Sequence, residues 1–220
     1  MAALGGRRAW DSTRYLTWRF FGGRRHVWDK HTGDVRIEGT TGKTGEAYVV
    51  LMNLRTREGR VWKEGRPVSG EELAGMLDDG EAAWINDSYW LVMPYKLKDS
   101  GVTLKYVGDG ETKEGGAAEI LELTFDRVGR TPQNKYRVYV GRESGLVEQW
   151  DFYREASDPE PAFKVPWQNW KRYGRIMLSG GRGEMRGRPA RLTDIAVFDE
   201  LPASVFDNAE DIDWNQLIGD

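Results

Sequence analysis

Few residues of this chain stand at spacings that serve chemistry. The nearest thing to a phosphate cradle is Gly39-Thr40-Thr41-Gly42-Lys43-Thr44, which ends as a P-loop does. The full motif needs a glycine five residues before Gly42, and Ile37 stands there. The loop also leads into an apolar run suited to a strand, so no helix N-terminus would face a phosphate, and it reads as a hairpin loop. His26 and His31 are the only histidines. On a strand, Asp29 and His31 would share one side while His26 points to the other, and no third ligand converges on them at a metal-binding spacing. There is no cysteine and no G-x-S-x-G elbow, which removes thiolate nucleophiles, disulfides and the hydrolase serine. The carboxylates Glu119/Glu122 and Glu148/Asp151 are three apart, a spacing that sends them to opposite faces of a strand and away from a shared glycosidase site. Asn86-Asp87-Ser88 matches the glycosylation pattern, which is common by chance. The expectation is a non-enzymatic protein with no catalytic residue, no metal and no cofactor.

Binding chemistry is better supplied. Ten Trp, nine Tyr and seven Phe make up 12% of the chain, enough to fill a core and line a pocket. Arg14–Trp28 interleaves arginines with rings as nucleic-acid stacking platforms do. Its rings follow a strand period, however, and the net charge is −3, so no nucleic-acid partner is expected. Charge is uneven: residues 1–36 hold eight basic residues against three acidic, and residues 199–220 hold seven acidic and none basic. These ends are either two solvated faces of opposite sign or mutually attracting segments.

The 220 residues, 39% apolar and 30% charged, suit one globular domain. No apolar run reaches the ~18 residues of a membrane-spanning helix. Met1–Gly6 lacks an apolar h-region. The expectation is a periplasmic or outer-membrane-associated protein whose signal segment has been removed, with a cytoplasmic protein as the alternative.

The elements that must position these residues are mostly strands. An N-terminal helix is expected over 1–12. Thr13–Phe21 alternates Leu16, Trp18 and Phe20 against Tyr15, Thr17 and Arg19, the mark of a half-buried strand. Gly22-Gly23 turns it into Arg24–His31, and Thr32-Gly33 leads on to Asp34–Gly39. Glu46–Leu54 is apolar on both faces and Arg60–Lys63 is short. The pattern then becomes helical over 68–94. Ser69 and Glu72 form a capping box, and Leu73, Met76, Leu77 and Trp84 fall on one face. Two helices, 70–79 and 81–92, are expected, broken near Gly80 and ended by Pro94. Strands follow at Val102–Val107, Ala118–Asp126, Tyr136–Gly141, Leu146–Tyr153, Arg175–Ser179 and Arg191–Asp199. Gly108-Asp109-Gly110 and Gly180-Gly181-Arg182-Gly183 are among the turn signals. The acidic tail 200–220 carries a helical turn near Val205-Phe206. This is a mainly β (α+β) chain: one large curved antiparallel sheet with its mid-chain helical insertion packed in the concave face.

Three stretches carry a resemblance. Val128–Pro132 with Tyr136–Val147 is a strand ending in a turn with Gly145-Leu146-Val147; Trp170–Leu178 runs from Trp and Tyr through Gly174 into a further strand. Together these resemble the outer-membrane lipoprotein-sorting and carrier (LolA/LolB-like) superfamily. Ala83–Leu97 is similar to an uncharacterised bacterial envelope family related to it. The resemblance implies an unclosed half-barrel with helices in its hollow, and an apolar cavity for lipid acyl chains. On that reading the partner is an apolar ligand or lipid, or a lipoprotein or other envelope component. The wall candidates are Trp18, Phe20, Trp28, Trp90, Met93, Leu121, Leu123 and Trp150. Two other readings stay open: a carbohydrate-binding module using Trp62, Trp167 and Trp170, and an assembly scaffold with an exposed apolar patch.

Overall fold

The structure, a computed structural model, describes residues 1–219. A 3-10 turn at Ala2–Leu4 and helix α1 (Arg7–Ser12) come first. Six strands follow: β1 (Tyr15–Phe20), β2 (Arg25–Asp29), β3 (Asp34–Thr40), β4 (Ala47–Asn53), β5 (Gly59–Lys63) and β6 (Arg66–Pro67). Helix α2 spans Gly70–Lys96. The later strands are β7 (Val102–Glu111), β8 (Ala117–Phe125), β9 (Lys135–Gly141), β10 (Val147–Tyr153), β11 (Phe163–Pro166), β12 (Gln168–Tyr173), β13 (Ile176–Met185) and β14 (Arg188–Phe198). Two short helices close the chain, α3 (Ser204–Asp207) and α4 (Trp214–Ile218). The chain is mainly β, every strand pair is antiparallel, and the sheets are open at both edges.

Where the sequence suggests one domain, the chain divides into two compact units: residues 1–10 with 88–191, and 11–87 with 192–220. All three boundaries fall inside regular elements, α1, α2 and β14, so no linker composition announces them.

In the second unit β1 to β6 pair in chain order, and the end of β14 pairs with β1 (Leu16 opposite Val197). The Gly39–Thr44 segment closes the β3–β4 hairpin, with the amide of Thr41 donating to Glu46 O at 2.9 Å. Val35, Ile37, Val50, Met52 and Val61 form the core, and Leu73, Met76, Leu77 and Trp84 of α2 pack against it. Helix α2 does not break at Gly80. A Cβ there would lie 3.2 Å from Val50 Cγ1, so the glycine lets the helix approach the sheet. Burial of that face outweighs the roughly 1 kcal/mol a mid-helix glycine costs. The acidic tail is held through its main chain. Arg36, 1% exposed, donates to the carbonyls of Val205 (3.2 Å), Asn208 (2.7 Å) and Glu210 (2.8 Å). Arg25 lies over the Trp214 ring at 4.7 Å. Basic residues do meet the tail, but at its carbonyls and a ring.

In the first unit β7 to β11 form one meander, and β12, β13 and the start of β14 another. The core is Met93, Leu123, Val138, Val147, Trp150, Val165 and Trp167, with Tyr89, Trp90 and Leu97 packed against it. Gly108-Asp109-Gly110 and Gly180–Gly183, expected as turns, lie inside β7 and β13. Each segment coincides with a register shift, because a bulge uses the same glycines a turn does. Strands β11 and β12 were not expected; Pro166 suits β11, which pairs only with β10 and is an edge strand. The expected 1–12 helix is split where Gly5 and Gly6 adopt positive φ. These first residues are tied in: Tyr95 Oη donates to Leu4 O at 2.9 Å, and Trp10 stacks on Tyr95 at 4.2 Å.

Candidate binding cleft

The unit of residues 1–10 and 88–191 contains a cleft of about 670 Å³, within the usual size of small-molecule sites. Helix α2 contributes Trp90, β11 contributes Phe163, Val165 and Pro166, and β13 contributes Met185. The exposed wall is mainly apolar. Trp90 and Phe163 stack at 6.3 Å, and Phe163 stacks on Phe152 at 4.8 Å. Behind them Trp150 meets Trp90 edge-on at 4.7 Å and Trp167 at 5.5 Å. Rings held this way keep their rotamers, so the wall is preformed. Lys113, Glu114, Lys164, Glu184 and Arg186 stand at the polar rim.

One charged residue of the lining is not at the rim. Arg182 is 1% exposed and its guanidinium sits 3.7 Å from the centre of the Trp167 ring. Its presence follows from a proline. Pro94 lies inside α2 and has no N–H to offer the carbonyl of Trp90, four residues earlier. Arg182 Nη2 donates to that carbonyl instead. Nη1 donates to Ser179 Oγ at 2.8 Å and to Gly181 O at 2.6 Å. Nε is buried with no partner. Burial pushes the guanidinium down to about 9, still cationic at neutral pH. Gly183 makes the β13 bulge that re-aims this residue. Its φ is +67°, and a Cβ would fall 2.9 Å from Pro166 Cγ. Gly183→Ala is expected to cost about 1–3 kcal/mol, read as a lower denaturant midpoint.

The other unit buries a titratable cluster. His26 and Asp87 are both 0% exposed. His26 Nε2 lies 2.8 Å from Asp87 Oδ2, and Arg24 donates to the same carboxylate at 2.8 and 2.9 Å. Trp18 stacks on His26 at 4.8 Å. The cluster ties β2 to α2. Burial lowers the His26 pKa, against the raising effect of Asp87. Burial works to raise the Asp87 pKa, but hydrogen bonds from His26 and Arg24 outweigh it and hold it below its ordinary value.

Among the wall candidates read from the sequence, Trp90 lines the cleft. Met93, Leu123 and Trp150 lie fully buried in the core behind it, and Leu121 packs against that core. Trp18, Phe20 and Trp28 belong to the other unit, where Trp28 meets Trp84 edge-on at 5.2 Å. Sequence reasoning missed Phe163, Val165, Pro166, Met185 and Arg182. The one signal for Arg182 was Pro94, which leaves a helix carbonyl in need of a donor. Of the residues considered for a sugar platform, Trp167 is 2% exposed, Trp170 gives its N–H to Val147 O at 2.8 Å, and Trp62 belongs to the other unit. Among the described residues the exposed large apolar side chains are Tyr106, Val107 and Phe163. Among the described residues no helix is long and apolar enough to cross a membrane, and no group of three or more His, Asp or Glu could hold a metal.

No family model matches the chain, and no curated protein matches it. Among solved structures it is similar to a DUF1329 family protein from Desulfovibrio piger ATCC 29098, with TM-score 0.47 and 14% identity over 91% of this chain and 93% of that one. MucB in complex with MucA(peri) gives TM-score 0.23 and 16% identity over 66% of this chain and 44% of that one. At these scores the likeness carries no functional argument, and the reading below stands on the cleft.

Proposed function

We propose that this chain is a non-enzymatic binding protein that takes an acyl chain or a similar apolar ligand into the cleft walled by Trp90, Phe163, Val165, Pro166 and Met185. The observation that carries this is a cleft of about 670 Å³ whose exposed wall is mainly apolar and fixed by ring contacts. Filling it removes apolar surface from water on ligand and protein together, at roughly 25 cal/mol per Å². The sequence resemblance to envelope carriers favours the bacterial periplasm or outer membrane as its place.

Titration with hexadecanoate or a lysophospholipid is expected to give a saturable change in intrinsic fluorescence. Trp90 is the one tryptophan in the lining. Trp90→Phe should therefore shrink the signal while leaving binding measured by equilibrium dialysis within about tenfold, since it keeps an aromatic ring in the wall. No saturable binding to any of several lipids would remove the proposal.

A further inference from the structure

We infer that the occupant of this cleft is anionic as well as apolar: an acyl chain ending in a carboxylate or a phosphate, whose acidic oxygen is received by Arg182. The inference rests on the binding reading above and narrows it.

Arg182 lines the cleft, is 1% exposed, and keeps an unpartnered Nε–H. Its other donors reach only neutral acceptors: Ser179 Oγ, and the carbonyls of Ser179, Gly181 and Trp90. Among the described residues no carboxylate pairs with it. A buried cation with only neutral partners keeps both an uncompensated charge and an unmade hydrogen bond, and each is costly. An acidic oxygen on the ligand would satisfy both at once, in the charge-assisted geometry that is strongest where water is excluded. The rim is of mixed sign, with Lys113, Lys164 and Arg186 beside Glu114 and Glu184, and Lys164 lies 3.6 Å from Asp151, so the selection for an anion falls to Arg182. A guanidinium present only to bond the Trp90 carbonyl would have no influence on the ligand's headgroup.

The test uses the full chain and one chain length with three heads: hexadecanoate, hexadecyl phosphate and hexadecanol, each below its micelle concentration. Each displaces the neutral probe N-phenyl-1-naphthylamine. At least one anion is expected to displace the probe at a concentration about tenfold or more below that of hexadecanol, the scale of one added charge-assisted hydrogen bond. The stronger anion tells carboxylate from phosphate. Arg182→Met, checked by circular dichroism and thermal unfolding, should erase the preference while hexadecanol still displaces. If that variant does not fold, the ligand series on the wild-type chain decides alone. Equal displacement by all three overturns the inference and leaves the apolar reading standing. Failure of all three to displace a bound probe overturns both.

Discussion

Trp150→Ala is expected to lower the folding free energy by about 3–5 kcal/mol, the usual cost of emptying a large aromatic site in a packed core. Trp150 is 1% exposed and central to its unit. Its ring meets Tyr89 at 5.9 Å, Trp90 at 4.7 Å, Tyr136 at 5.1 Å and Trp167 at 5.5 Å. Alanine would leave four rings facing a void they cannot close without leaving their rotamers. The indole N–H has no hydrogen-bond partner, so the loss is one of packing alone. Trp150→Phe should therefore recover most of it. Guanidinium unfolding checks this: the midpoint should drop sharply for alanine and slightly for phenylalanine, with little change in slope. A cost under about 1 kcal/mol for alanine would mean that this core is not close-packed.

Asp87→Ala should cost about 2–4 kcal/mol, because it strips the acceptor from a histidine that has no water to turn to. Arg24, 36% exposed at its side chain, can re-solvate and adds less. The same cluster predicts how stability follows pH. The folded state holds His26 below its ordinary 6.5, because burial disfavours the imidazolium. That contribution is present above about pH 6.5 and is lost as pH falls toward the folded value. Asp87 is held below its ordinary 3.8 by His26 and Arg24, in spite of burial. Its contribution is present above about pH 4 and is lost at lower pH. Acidification therefore weakens this unit in two steps. Urea midpoints at pH 7.5, 5.5 and 3 should show both. His26→Gln, which can still donate to Asp87, should flatten only the upper step. An unchanged midpoint between pH 7.5 and 5.5 in the wild-type chain would show that His26 does not titrate with folding.

The strands with a clean period of two were legible from residue types alone. Leu16 and Trp18 mark β1, and the apolar run of β4 fits its burial between α2 and the unit's other face. What failed was glycine. Gly80 looks like a helix break and is a close approach to Val50. Gly180–Gly183 looks like a turn and is a bulge inside β13. In each case the backbone freedom is visible in the sequence, but the neighbour that uses it is not. The site suffered from the same ambiguity. Trp90 stands out as a wall residue in the sequence, within the apolar run 89–93. Arg182 was hidden because an arginine between glycines reads as a solvent-facing turn. The eight wall candidates fall in both units because composition gave no sign that α2 and β14 each pass from one to the other.

That passage sets a schedule for synthesis. Residues 1–10 are made long before their partners: Leu4 and Trp10 meet Tyr95, within a unit that is not complete until residue 191. The meander begun at β1 waits longer still, for the last part of β14 and the tail that Arg36 grips. Neither unit can close before β14 has been made. Such late, long-range closure folds slowly and leaves strand edges open in the meantime, so a stalled or truncated translation product should be a substrate for chaperones and proteases.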